Sequence, residues 1–489
     1  MNMAEMMKET ANVTLTENGA VTLRTTGSDC LDLFSTIGAL RKADENDIIE
    51  RFIRAYCESP DTAMKILFYA RDVRGGLGER RTFRILLRWL ADNHSASVIK
   101  NIQYIPEFGR YDDLLELSGT ACESEAVAFI KEQLEKDVEA LDKDGDVSLL
   151  AKWLPSVNTS NDAAVRAGKK LAKLLGMSES KYRKTLSALR AQIKIIENNL
   201  REKKYDFDYE KQPSKALFKY RQAFIRNDND RYTDYLDRVS KGEAKMNTGT
   251  LMPYELVESV LNKLTAMSEE EKTAVNTTWE KLEDFGGDEN ILAVIDGSGS
   301  MYAWKAPTPA SVALSLGLYF AERNKGAFAN HFITFSHAPQ MIEIKGDNFV
   351  DKLRYVTTFD EVADTNLEAV FRLVLETALK YKVPQSELPS KLVIISDMEF
   401  NYCVEDGDLT NFENARRMFE ENGYRLPDVV FWNVASRNRQ QPVSQNEQGA
   451  ALVSGCTPRL FSMIAGGELS PLKIIMEIIG SERYSMIKA

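Results

Sequence analysis

The stretch "ILAVIDGSGSMY" (291–302) sets Asp296, Ser298 and Ser300 at every second position, directly after an apolar run. A turn accounts for the glycines but not for three oxygen-bearing side chains in alternation. Thr365 in "VADTNLEAVF" and Asp397 after "KLVIIS" add a hydroxyl and a carboxylate downstream. These five are hard oxygen donors, with no sulfur or imidazole among them. They suit Mg²⁺, or alternatively Mn²⁺ or Ca²⁺. The hydroxyls are neutral and leave a bound cation much of its charge. A carboxylate or phosphate from a partner could then complete its shell, with Asp397 acting through water. Each piece also has a local reading. DGSGS can be a plain turn, Thr365 with Glu368 has the T-x-x-E spacing of a capping box, and Asp397 can cap the segment after its strand.

Convergence of these residues requires a particular scaffold. "ENILAVID", "FANHFITFS", "SKLVIISD" and "DVVFWNVAS" are short runs rich in β-branched and aromatic residues. Helical segments separate most of them, which predicts an α/β domain with buried parallel strands over 285–489. Ligands of such sheets collect at the C-terminal strand ends, where Asp296 and Asp397 fall. Thr308 and Pro309 read as N-cap and first position of a helix over "ASVALSLGLYFAERN". Upstream, residues 30–275 show helical periodicity, as in "DTAMKILFYARD" and "EAVAFIKEQLEKDVEAL". Helices of ten to twenty residues with short connections predict stacked pairs in a solenoid or curved bundle. Residues 1–29 contain Asn18-Gly19 and predict a hairpin-like extended segment. "AMSEEEKTAVNTTWEKLEDFGGDE" reads as a hinge between the halves.

Charge is unevenly distributed. Residues 151–245 hold 22 Lys and Arg against 12 Asp and Glu, a balance of +10. The whole chain carries −11, so the remainder carries −21. Arg166, Lys169, Lys170 and Lys173 occupy one helical face at i, i+3, i+4 and i+7. Arg183, Lys184, Arg190 and Lys194, then Arg201, Lys203 and Lys204, continue the basic run. Tyr182, Tyr205, Tyr209, Phe218 and Tyr220 interleave with it. A basic stripe rewards phosphate binding through counterion release, and exposed aromatics can stack on unpaired bases. A solvated helix face, docked on the acidic half, is the bland alternative.

Other features narrow the class. Three histidines, without HExxH or HxH spacing, disfavour a histidine-built zinc centre or a sequence-evident triad. Five scattered cysteines without CxxC suit a reducing cytoplasm rather than a disulfide framework. The N-terminal residues lack a signal-peptide pattern, and no apolar run approaches the length of a membrane span. In "RDVRGGLGERR" (71–81), arginines flank three glycines, but without GK[ST] it is no P-loop. A tight turn between two helices is the simpler reading.

The DxSxS–Thr–Asp set resembles the metal-ion-dependent adhesion site of von Willebrand factor A domains, over about residues 288–480. A helical array, an internal basic block and then such a domain resemble the Ro 60 kDa autoantigen family, which joins a TROVE ring of HEAT-like helices to a von Willebrand A domain. "FYARDVRGGLGERR", "GRYDDLLEL", "AKWLPS" and "SDMEFN" look closer still to an uncharacterised Ro-like family of the same arrangement. The resemblance implies a HEAT-like helical ring or horseshoe followed by a doubly wound, Rossmann-like domain. It implies a non-enzymatic, cytoplasmic scaffold for small noncoding or misfolded RNA. Contact residues of that family cannot be matched position by position. Two alternatives stand beside it: a metal-dependent module that captures a protein carboxylate, and a metal-dependent phosphoryl-transfer enzyme. The enzyme reading lacks an evident general base or second carboxylate cluster.

Overall fold

The structure is a computed structural model. It describes residues 2–489 apart from 194, 264–265, 288, 304–305, 337, 360–364, 402–408, 465 and 467–468. Residues 1–29 are not extended throughout: Met3–Asn12 is a helix, started by a capping box between Asn2 and Glu5, and the hairpin of β1 (Val13–Leu15) and β2 (Val21–Leu23) follows it, turning at Asn18-Gly19 with Gly19 at φ +86°. The second sheet has six strands: β3 (Ile291–Asp296), β4 (His331–Phe335), β5 (Met341–Glu343), β6 (Lys391–Ser396), β7 (Asp428–Asn433) and β8 (Ala450–Ser454). Their order is β5-β4-β3-β6-β7-β8, parallel throughout except for the antiparallel edge strand β5. Every residue of β3, β6 and β8 is buried. That is what a parallel sheet covered on both faces demands of its sequence.

Chain direction across the sheet reverses between β3 and β6. The chain leaves β3 toward β4 but leaves β6 toward β7, so the loops after these neighbouring strands diverge and open a crevice. The helix Pro309–Arg323 follows β3, with Thr308 as its N-cap and Pro309 in its first turn. Gly317 lets it press onto β3: a Cβ there would lie 2.2 Å from Ile295 Cδ1. The helices Leu367–Tyr381 and Asn411–Glu421 cover the other face and share a core with Val294, Ile394 and Phe431.

The helical half is continuous with this domain rather than hinged to it. One core runs from the helix Asp29–Ile37 through Pro60–Arg71 and Arg81–Asn93 to Trp432, Val453 and the helix Pro471–Ile479. Half of the segment read as a hinge is the helix Glu269–Glu280. Its Trp279 stacks on Phe349 at 4.0 Å, and the Trp279 indole N–H donates to Glu322 Oε2 (2.6 Å). Apolar residues on one side of that helix outweighed its acidic first turn. A smaller aromatic core, with Tyr209, Phe224, Tyr232 and Tyr235, holds the segment around 196–246 together.

The glycine turn and the "GRYDDLLEL" block are tied into buried charge. Asp113 is fully buried and accepts from Arg71 Nε (2.8 Å), Arg84 Nε (2.7 Å) and the Arg110 N–H (3.0 Å). Asp72, also fully buried, receives both Arg483 Nη2 (2.7 Å) and the Tyr484 hydroxyl (3.0 Å) from the far C-terminal segment. A Cβ on Gly76 would sit 2.0 Å from the Tyr69 carbonyl oxygen. Three of the four arginines of "RDVRGGLGERR" make contacts within the fold: Arg71 pairs with Asp113, Arg74 donates to Glu107 O and Arg81 to Ala43 O. Among the described residues no helix is long and apolar enough to cross a membrane.

Candidate functional site

Asp296 is the last residue of β3, and Asp397 immediately follows β6, its hydrogen-bonded neighbour. The switch in chain direction therefore puts both carboxylates at one crevice. Both are buried, with relative exposures of 1% and 2%. Asp296 Oδ1 accepts the Ser298 N–H (2.8 Å), which folds the DGSGS turn back onto the carboxylate. Asp296 Oδ2 accepts from Ser396 Oγ (2.5 Å), and the Ser298 and Ser300 hydroxyls are 3.1 Å apart. DGSGS is indeed a turn, but one that gathers its polar side chains.

Burial, and after it the negative charge of Asp397, pushes the Asp296 carboxyl up to about 6; hydrogen bonds from Ser396 and Ser298 pull the other way. Burial beside a second carboxylate makes the Asp296 anion costly unless a cation joins it. Asp397 has a cationic partner of its own: Arg437 Nη2 donates to its Oδ2 (3.0 Å). Sequence reading missed Arg437. It follows β7 by four residues, at the same edge of the sheet, and only the topology reveals that.

Thr365 is placed differently. The helix after it is capped by Asn366, whose Oδ1 accepts the Ala369 N–H (2.8 Å), so the capping-box reading of Thr365 does not hold. The Thr365 hydroxyl turns to the loop after β6. It donates to Glu399 O and lies within 2.8 Å of both that atom and Asn401 Oδ1. The structure thus brings together Asp296, Ser298, Ser300 and Asp397, with Thr365 buried one loop away. Met398, between Asp397 and Glu399, has φ +67°, uncommon for a side chain of its size. That bend sends Asp397 toward the crevice and Glu399 toward the hairpin, where Glu399 accepts from the Glu17 N–H (2.9 Å), Asn438 (2.9 Å) and Gln440 (2.7 Å). "SDMEFN" therefore serves both the crevice and the docking of the hairpin.

The donor set fits a hard cation. Its carboxylates and hydroxyls sit at the ends of adjacent strands, and Asp296 lacks a cationic side-chain partner among the described residues. Among those residues no three His, Cys, Asp or Glu side chains converge as in a zinc or two-metal centre.

The basic block divides. Arg166, Lys173, Arg183 and Lys184 are exposed and have no carboxylate partner among the described residues; Lys203 is exposed too, with φ +54°. Lys169 faces Glu179 (3.4 Å), Lys170 pairs with Glu123, and Lys204 pairs with Glu202 (2.9 Å), all at the surface. Arg190 is structural: its guanidinium donates to Ala151 O, Ser156 Oγ and Leu154 O, each at 2.7 Å, and closes "AKWLPS". Lys194 lies outside the described residues. Two of the five interleaved aromatics are withdrawn into cores. Tyr182 is buried with its hydroxyl on Pro155 O (2.9 Å), and Tyr209 is in the small aromatic core. Tyr205 and Tyr220 are half-buried against that small core, and Phe218 is half-buried against the large one.

A family profile described as "Domain of unknown function (DUF2828)" matches residues 16–131 and 125–284, more than half of the chain. This chain belongs to the DUF2828 family. A second profile, "Domain of unknown function (DUF7788)", matches residues 290–471, the α/β part of this DUF2828 protein. Neither is the TROVE profile. The chain is 30% identical over 511 residues to "Uncharacterized protein L728" of Acanthamoeba polyphaga mimivirus, spanning 96% of this chain and 87% of that one. It also superposes on the crystal structure of the Deinococcus radiodurans RO (RSR) protein. That match has a TM-score of 0.35 and 11% identity, and covers 88% of this chain and 92% of the other. A score so low carries no functional argument.

Proposed function

We propose that this DUF2828 protein is a non-enzymatic binding scaffold whose α/β half holds a divalent cation, Mg²⁺ by donor chemistry, and through it an anionic group of a partner. The supporting observation is the meeting of Asp296, Ser298, Ser300 and Asp397 at the reversal of the sheet. Asp296 would bind directly with the two serines. Asp397 and Thr365 would hold shell waters from behind. The cation would supply a positive centre at a position otherwise crowded by negative charge. Calorimetry with Mg²⁺ and Mn²⁺ tests this: wild type should bind, and D296A should not. Equal affinity for the two chains overturns the reading.

A second reading concerns the helical half, and one observation favours it. Arg166, Lys173, Arg183 and Lys184 remain exposed and unpaired among the described residues of a chain that is acidic overall. We assign this surface to RNA, whose phosphates reward exposed cations that no carboxylate neutralises. Binding of a structured RNA should weaken with salt, and reversing the four charges to Glu should flatten that dependence. Affinity indifferent to salt or to the four substitutions overturns it.

A further inference from the structure

At the edge that carries Asp397, Arg437 is held by two acids at once. Its Nη2 donates to Asp397 Oδ2 (3.0 Å), and its Nη1 pairs with Glu17 Oε2 (2.9 Å) from the N-terminal hairpin. Its Nε is buried and has no hydrogen-bond partner among the described residues. Glu17 is not there by accident of a loose terminus. The hairpin is fastened by the Thr16 hydroxyl on Phe400 O (2.6 Å), the Glu17 N–H on Glu399 (2.9 Å) and Asn18 Nδ2 on Glu399 O (2.7 Å). Asn438 Nδ2 holds the second Glu17 oxygen at 2.9 Å. Backbone and side chain are thus both arranged to present a carboxylate to the arginine beside the candidate cation position.

On the opposite flank of Asp296 lies a cavity of about 90 Å³. Asp296 and Ser336 line its polar side, and Leu314, Phe332 and Phe359 its apolar side. Strand order β4-β3-β6-β7 sets cavity, Asp296, Asp397 and Arg437 in a row across the C-terminal edge. A ligand lying across that row meets an apolar recess first, then the carboxylate pair, then a guanidinium. A peptide with an apolar residue beside an acidic one matches this sequence of environments. A nucleic-acid backbone repeats its phosphate charge at every residue and offers the recess only hydroxylated or ether-linked sugar carbons.

We infer that Glu17 is a built-in competitor, holding in cis the anion position of Arg437 that an acidic peptide segment of a partner protein would otherwise take at this edge. The inference rests on the cation reading above. The Glu17 side chain is 46% exposed and that of Arg437 27%, so the pair is screened and easily exchanged for an incoming carboxylate. A partner's acid, gripped between cation and Arg437, would displace Glu17 and leave the hairpin held by its backbone bonds.

The test uses the full chain with saturating Mg²⁺. The probe is a fluorescent hexapeptide carrying one Glu beside one Phe; its Glu-to-Gln counterpart and a single-stranded RNA oligomer serve as comparisons. Glu17→Gln keeps an oxygen for Asn438 and removes the charge. It should bind the acidic peptide about threefold to fivefold tighter than wild type, the scale of an exposed ion pair. Arg437→Gln should bind it more weakly, and the Gln peptide should bind neither chain measurably. Melting curves confirm that both variants fold. Peptide affinity indifferent to Glu17, equal binding of the Gln peptide, or preference for the RNA oligomer overturns the inference. Calorimetry with Mg²⁺ alone separates the two levels. No heat with wild type removes the cation site and this inference with it, whereas heat with peptide binding indifferent to Glu17 removes only the inference.

Discussion

Replacing Asp296 by Asn should stabilise the metal-free chain while abolishing its response to Mg²⁺. Burial and the neighbouring Asp397 charge raise the Asp296 carboxyl from 3.8 to about 6. At about 1.4 kcal/mol per unit, that amounts to about 3 kcal/mol as an upper bound. The sign follows from proton binding. Between pH 4 and 6 the unfolded chain has released the proton that the folded chain still holds, so stability falls as pH rises and stays at its lower value above pH 6. An amide at 296 carries no such penalty. Its oxygen can still accept the Ser298 N–H, and its NH₂ can donate to Ser396 Oγ, so both bonds of the carboxylate have replacements. Urea denaturation in EDTA from pH 4 to 8 should show wild type losing stability through this window, with D296N flatter and about 1–3 kcal/mol more stable at pH 7.5. Added Mg²⁺ should restore wild type at pH 7.5 and leave D296N unmoved, through binding to the folded state alone. A D296N chain less stable than wild type in EDTA at pH 7.5 would refute the claim that this carboxylate is held ionised at a cost.

Other consequences are structural. Asp113→Ala leaves Arg71 and Arg84 without their shared buried partner; a loss of about 3–5 kcal/mol in denaturant titration is expected. Arg483→Ala removes the clamp on Asp72, whose carboxyl is held below its ordinary value against burial by bonds from Arg483 and the turn N–H groups. In wild type, stability from that clamp is present at neutral pH and lost as pH falls through the depressed value. R483A should therefore lose stability at pH 7 and converge on wild type in acid, as urea titrations at pH 7 and pH 3 would show. Gly76→Ala drives a Cβ into the Tyr69 carbonyl and should yield little folded protein on expression, whereas Gly119→Ala, which meets nothing within 4 Å, should still express folded protein despite its positive φ.

The two-part architecture is legible in the sequence because periodicity reports burial. Buried parallel strands must be apolar on both faces, and helices on a core must repeat near every fourth residue. The same logic misleads where a pattern has two uses. Tyr182 and Tyr209 read as part of a stacking surface because aromatic spacing alone does not say which side is solvent. Arg190 reads as one more phosphate contact because a guanidinium capping carbonyls looks, in sequence, like any basic residue. The acidic first turn of Glu269–Glu280 reads as a linker because acids at a helix N-terminus and acids in a solvated loop are spelled alike.

By itself, then, the sequence determined the kinds of element, their order and the hard-oxygen character of Asp296, Ser298, Ser300 and Asp397. Those properties depend on neighbours a few residues away. Tertiary structure alone decided that β3 lies beside β6, that the helical and α/β halves share one core, and that Glu17 and Arg437, 420 positions apart, meet at 2.9 Å. Chain reversal at a sheet and the docking of a hairpin are set by the packing of whole surfaces. No local spacing of residues records them.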